Sequence, residues 1–218
     1  MTLTAHGTQL RASERAYDEL LERIVDLRLA PESVVNEKAM SDQLGIGRVP
    51  VREAIARLAT GRFLTVHARR GAVVAGIGLA DVLDMFEARE AIECGVAYIV
   101  AERATSTELA RLRELSDRAA ESARAGTDHT EYLRNDIAVH SYLVSLVRND
   151  LLQDAAEGLL MHNLRFWNHY WSTRPVKPSA MMTHSGLLAA IEAHHPEEAS
   201  RAMRSHLQAS RKLVQEAF

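Results

Sequence analysis

A single cysteine, Cys94, excludes an internal disulfide and points to a reducing compartment. Apolar residues never run for the roughly 20 positions that a bilayer span requires. The opening residues, MTLTAHGTQLRASERAY, lack the basic-then-apolar order of a secretory leader. A cytoplasmic protein without a membrane partner is therefore expected. The chain also lacks a glycine-rich phosphate loop and a nucleophile elbow, which removes two common enzyme classes. What remains is a composition ordinary for a globular protein, 47% hydrophobic over 218 residues. That length suits one large domain or two small ones.

Strong net charge is lacking too, but the formal −3 conceals an asymmetry. Residues 1–76 carry eleven Lys and Arg against nine Asp and Glu, a net +2; the rest carry fifteen against twenty, a net −5. Between Arg48 and Arg70 stand six arginines (48, 52, 57, 62, 69 and 70) and one acid, Glu53. A basic patch on an otherwise acidic chain marks a localised site for a polyanion; a solvated helix face with a basic loop is the plainer alternative.

The stretch GIGRVPVREAIARL, Gly45 to Leu58, sharpens that reading. Gly47 and Pro50 are helix-start residues, since glycine is accepted at an N-cap and proline in the first turn. Arg48 and Arg52 then share one face of the helix at its N-terminal end. Cations there oppose the helix dipole, so stability alone does not select them. A phosphate arriving at that end reconciles the two facts.

The neighbouring elements supply the context. Apolar spacing predicts a helix over 13–29, broken at Ala30-Pro31, then a short strand at Val34-Val35. Asn36 caps a second helix, Glu37 to Leu44, which Gly45 ends. The third helix runs to Thr60 and Gly61. Phe63, Leu64 and Val66 then precede a turn at Ala68–Gly71, and Ala72-Val73-Val74 follow it, forming a hairpin with Arg69 and Arg70 at its tip. Helix, helix, turn, helix, hairpin is a winged helix-turn-helix, whose third helix enters the major groove of double-stranded DNA. Arginine suits guanine and phosphate alike, so the spacing does not sort base contacts from backbone contacts.

Beyond Ile77 the pattern is helical throughout, with segments predicted near 79–104, 107–124, 129–147, 150–173, 178–194 and 196–216. The fold expected is mainly α: a winged helix-turn-helix domain over 10–76, then an all-α bundle of six or seven helices over 77–218.

Ten histidines are present, and four positions in the second half stand out by spacing. Asp136 and His140 are four apart in NDIAVHSYL, His184 opens an apolar helix, and His206 sits late in the last one. One carboxylate and three imidazoles from three helices make a mixed nitrogen and oxygen metal site, suited to zinc, nickel or manganese. With open positions it also accepts a ligand carboxylate. Core or surface histidines are the alternative. His67 could reach phosphate from the wing, and His162 and His169 could line a cavity with Trp167 or Trp171, although those aromatics read as core.

Taken together, MSDQLGIGRVPVREAIARLATGRFLTVHARRGAVV resembles the winged helix of GntR-family bacterial transcription regulators, and the helical remainder resembles the FCD effector domain of the FadR-like branch. NDIAVH, THSGLLAAIEA and AMRSHL carry the second likeness, in the order that branch shows. The resemblance spans Tyr17 to the C-terminus. It implies DNA contacts from Arg48, Val49, Pro50 and Arg52 in the recognition helix, from Lys38 at the start of the second helix, and from Arg69, Arg70 and Gly71 in the wing. It implies metal ligation, zinc first, by Asp136, His140, His184 and His206. Arg89 in FEAREAIE matches an arginine that often faces the effector cavity; pairing with an effector carboxylate and pairing with a neighbouring glutamate remain open alternatives. Two departures stand out. Gly47 replaces the usual Ser or Thr, which removes a capping hydroxyl, and Gly61-Arg62 replaces an acidic-Gly pair before the hairpin.

The function these features imply is a homodimeric, ligand-responsive repressor that releases its operator when a small carboxylate binds near the metal. The rival is a metal-dependent hydrolase or lyase using the same four ligands, although no general base stands in a motif beside them. A DNA-binding architectural protein with an inert helical domain is a third reading.

Overall fold

In the computed structural model, which describes residues 3–68, 71–125, 129–173 and 183–216 (backbone alone for 3–10), the chain divides after Ile77 into two compact units. The first opens with α1 (Leu3–Val25), whose Ala16, Leu20 and Ile24 are fully buried at helical spacing. The helix begins ten residues before its apolar period does, because periodicity marks where a helix packs and not where its hydrogen-bond ladder starts. It stops short of Leu29 because Leu27 turns left-handed, at φ 62.

After β1 (Val34–Val35), Asn36 caps α2 (Glu37–Leu44) by accepting the Ala39 N–H at 3.0 Å. Gly45 closes α2 in the left-handed region, at φ 62, returning its N–H to the Ser41 carbonyl. The next helix, α3 (Arg48–Thr60), has Gly47 at its N-cap and no side-chain cap, as the missing hydroxyl requires. Val51, Ala54, Ile55 and Leu58 bury one face of α3, which packs chiefly on α1. That leaves Arg48 and Arg52 on the opposite, exposed face.

Arg62 then takes φ 61, a left-handed value normally given to glycine, and the chain enters β2 (Leu64–His67) and β3 (Gly71–Val74). The sheet order is β1-β3-β2, antiparallel throughout, with Leu64 opposite Val74 and Val34 opposite Val73. Phe63, Leu64, Ala72 and Val74 are buried and pin the register of the hairpin.

The second unit is helical: α4 (Leu79–Arg103), α5 (Ser106–Ala125), α6 (His129–Ser145), α7 (Asp150–Thr173), α8 (Ser185–Glu192) and α9 (Pro196–Gln215). Its core is formed by Val96, Ala97 and Val100 of α4, Leu112 of α5, Val139 and Leu143 of α6, Leu160 of α7, Ile191 of α8 and Met203 and Leu207 of α9. Five helices lie within two residues of the predicted bounds. The exception is α8, expected over 178–194. Thr183 and His184 are not helical, and residues 178–182 lie outside the described residues. At the other end His194 turns left-handed, at φ 53, and His195 precedes Pro196, which disfavours the helical region for it. Among the described residues no helix is long and apolar enough to cross a membrane.

Candidate metal centre and nucleic-acid interface

In the first unit the exposed face of α3 begins with Arg48 and Val49, the latter 55% exposed although apolar. One turn on, Arg52 rests on Glu37 of α2, donating from Nε to both carboxylate oxygens at 3.1 and 3.2 Å and from Nη2 to Oε2 at 3.0 Å. One edge of the guanidinium is thereby held, and Nη1 points away from the pair. Lys38 is exposed and lies 3.7 Å from Asp42, one turn along the same helix. Arg57 departs from the patch. Its guanidinium sits 4.3 Å over the Tyr17 ring, a cation–π contact that ties α3 to α1.

Pro50 is buried in the first turn of α3, where its fixed φ suits a helix start. Gly71 is exposed at φ 75, where a side chain would be strained, which makes it a backbone device of the wing. Arg69 and Arg70 lie outside the described residues. His67 is exposed at the end of β2.

In the second unit Asp136 and His140 of α6, His184 before α8 and His206 of α9 each offer one donor atom, and these atoms lie within 4.8 Å of one another. The Nε2 atoms of His140 and His184 are 3.1 Å apart, and His184 Nε2 is 3.5 Å from Asp136 Oδ1. Two donors bonded to one ion at about 2.1 Å stand about 3.0–3.4 Å apart in octahedral or tetrahedral sites, so these two spacings are of the size a divalent cation needs and the cluster could hold one. Ring centroids of the three histidines are 4.5–5.2 Å apart. Asp136, His140 and His184 are 5%, 1% and 3% exposed, a burial that polar groups tolerate only when satisfied.

Burial pushes the His184 imidazole down to about 4, and the neighbouring His140 adds to this while Asp136 opposes it. The same burial, with His184 and His140 alongside, holds His206 well below its usual value. Both rings are thus neutral at pH 7 and have a lone pair to give. Tyr132, 3.5 Å from Asp136 Oδ1, is raised by burial first and by that carboxylate second, and stays a neutral donor.

Arg89 lies on the inner face of α4 with 2% exposure, four residues before Glu93, which is equally buried. Its Nε donates to Glu93 Oε1 at 2.5 Å and its Nη1 to Asn163 Oδ1 of α7 at 2.7 Å. Nη2 is buried with no hydrogen-bond partner among the described residues. Glu93 Oε2 is 2.5 Å from His140 Nδ1. Desolvation alone would raise the Glu93 carboxyl, but Arg89 and His140 outweigh it and hold it at about 2. Of the two pairings open to Arg89, the glutamate is present, and a third of its guanidinium still faces outward from that pair.

Glu93 and Asn163 were not legible as site residues from motif spacing. A signal did exist, because both interrupt apolar stripes: Glu93 falls among Phe86, Val96 and Val100, and Asn163 between Leu160 and Phe166. Trp167 and Trp171 are buried and stacked at 4.9 Å, which makes them core, while His162 and His169 are not among the metal-ligating set.

A family model described as the FCD domain matches residues 84–209, and one described as bacterial regulatory proteins, gntR family, matches residues 12–74. The HTH-type transcriptional repressor RspR of Escherichia coli K12 is 29% identical over 199 residues, which cover 90% of this chain and 86% of that one. The Nta operon transcriptional regulator of Aminobacter aminovorans is 30% identical over 152 residues, 69% of this chain and 71% of its own. Among solved structures, Escherichia coli McbR/YncC shares the fold with a TM-score of 0.80 at 20% identity, covering 94% of this chain and 98% of its own. The curated relatives are transcriptional regulators, so the hydrolase or lyase reading of the Asp/His cluster falls away. The chain is a member of the GntR family of bacterial regulatory proteins, a DNA-binding transcriptional regulator that carries an FCD domain and is not an enzyme.

Proposed function

We propose that this regulator is a cytoplasmic homodimeric repressor whose 77–218 domain senses a small carboxylate at a divalent metal ion and whose 10–76 domain releases an operator in response. The observation that carries the reading is the convergence of Asp136 and His140 from α6, His184 from the start of α8 and His206 from α9 onto one largely buried point. Zinc suits the donor set best, with nickel and manganese as the other choices. The ion would supply a fixed positive charge that a carboxylate can reach through an open coordination position.

Arg89 would meet the same carboxylate with Nη2, the one nitrogen it does not spend on Glu93 or Asn163. A guanidinium already engaged on two sides offers a single charge-assisted bond and not a bidentate clamp. That favours a short acid that also touches the metal over an acyl chain held by its head group alone. On the DNA side, Arg48, Val49 and Arg52 would read a half-site, Lys38 would contact phosphate, and Arg69, Arg70 and Gly71 would form the wing tip. Release follows only if the acid binds the DNA-incompetent state more tightly than the competent one.

The test is a thermal-shift screen of the purified protein against short-chain carboxylates, before and after chelation. A ligand that binds only the folded state raises Tm with its concentration. The expected result is a hit that vanishes on chelation and that lowers operator affinity. A hit indifferent to chelation would remove the ion from the effector site.

A further inference from the structure

We infer that Glu93 is a positioning residue of the metal centre, fixing the tautomer of His140 and joining it to the Arg89 effector anchor; this rests on the metal reading proposed above. The carboxylate is placed by the helical repeat, since Arg89 and Glu93 are four apart on the buried face of α4. Each of its oxygens has a separate task. Oε1 accepts from Arg89 Nε, and Oε2 lies 2.5 Å from His140 Nδ1. An ionised carboxylate only accepts, so a His140 ring that ligates a metal through its other nitrogen carries its proton on Nδ1. The lone pair then stands on Nε2, the atom that faces His184 Nε2 at 3.1 Å within the cluster.

Removing this carboxylate leaves the ring free to carry its proton on the metal-facing nitrogen, where it blocks ligation. The guanidinium of Arg89 closes the row from the other side, held in turn by Asn163. A displacement of Arg89 by a bound anion therefore moves the carboxylate that orients a metal ligand. Asn163, Arg89, Glu93 and His140 form one hydrogen-bonded row across α7, α4 and α6. Glutamine cannot replace Glu93 in it, because its amide nitrogen would either face Arg89 as donor against donor or donate to His140 Nδ1 and put the ring proton on the metal-facing Nε2.

The experiment is zinc titration of the full-length metal-free protein by calorimetry, for wild type, Glu93→Gln, and the double variant Arg89→Met/Glu93→Leu. The double variant removes both buried charges together, so it retains the fold where an unpaired Arg89 could cost it. Melting of each metal-free protein reports the fold independently. Both variants are expected to bind zinc roughly ten- to a hundredfold more weakly than wild type. The visible absorption of the cobalt-loaded protein is expected to change as well, which a merely structural role would not produce. Unchanged zinc affinity and cobalt spectrum in folded variants would overturn the role of Glu93 while leaving the metal site standing. Wild type that takes up neither ion would overturn the metal reading itself, and the role of Glu93 with it.

Discussion

Arg52 of the recognition helix and Glu37 of the preceding helix form a forked pair, with three donor–acceptor distances of 3.0–3.2 Å. The pair is exposed, so it adds little to stability. Its consequence is orientation, because the held edge leaves Nη1 and the outer side of Nη2 for a base or phosphate.

Arg52→Ala is expected to weaken operator binding roughly tenfold or more, with little change in Tm. Glu37→Gln is expected to behave differently. Loss of an acid strengthens binding to non-specific DNA, while loss of the brace narrows the margin between operator and non-specific sequence. Fluorescence anisotropy against both duplexes, across a salt series, checks this. An unchanged ratio would leave Glu37 with a purely electrostatic part.

Arg62 occupies a left-handed position where glycine is at ease. That conformation costs about 1–2 kcal/mol in a residue with a Cβ, and glycine loses about 0.5–1 kcal/mol of it again through unfolded-state entropy. Arg62→Gly should therefore stabilise the protein by about 0.5–1 kcal/mol, measurable by urea unfolding. If the arginine meets phosphate, the same variant lowers the slope of binding against salt by about one.

His184→Ala should abolish tight zinc uptake and leave ligand-free operator binding close to wild type. Chelation of wild-type protein should lower Tm, since an ion at a hundred times its Kd adds about 2.7 kcal/mol to the folded state. Metal analysis of the gel-filtered protein checks the first, and differential scanning calorimetry the second. Full metal retention in His184→Ala would exclude that ring from the site.

The pH response of the metal-free protein follows from the two depressed imidazoles. His184 titrates near 4 when folded and near 6.5 when unfolded, and His206 is lowered in the same direction. Between those values the unfolded chain binds a proton that the folded one refuses. Stability is thus full above 6.5 and falls as pH drops toward 4, by about 3 kcal/mol for His184 at most. Glu93 is depressed too, but its window lies lower, from 4.5 down to about 2, so it does not contribute there. Equilibrium urea unfolding at pH 7, 6 and 5 would reveal the slope, and bound zinc should maintain or steepen it, since an ion on the same lone pairs keeps the folded state from taking up protons.

Much of the architecture was legible because local chemistry and tertiary packing agree. The Asn36 side chain and the Cβ-free backbone of Gly45 bracket α2, and the apolar set on α3 leaves Arg48 and Arg52 outside. Within GRVPVREA, Pro50 is buried while Arg48 and Arg52 are exposed. The motif joins exposed residues to residues that shape the helix presenting them. At the end of α8, apolar spacing does not register the left-handed His194 that stops the helix before the expected bound.

The metal set occupies a middle ground. A spacing of four placed Asp136 and His140 on one face of α6, but nothing local brings His184 and His206 to them across more than forty residues of chain. The packing of α6, α8 and α9 decides that. Glu93 and Asn163 belong wholly to the tertiary structure. As letters they are two polar residues in apolar stripes, and only the meeting of α4, α6 and α7 gives each a partner. By itself the sequence determined the helix faces, the caps and the class of chemistry, because those depend on neighbours within about one helical turn. The tertiary structure decided which faces meet and which buried charges are satisfied, because Coulomb and hydrogen-bond energies depend on distance in space and not along the chain.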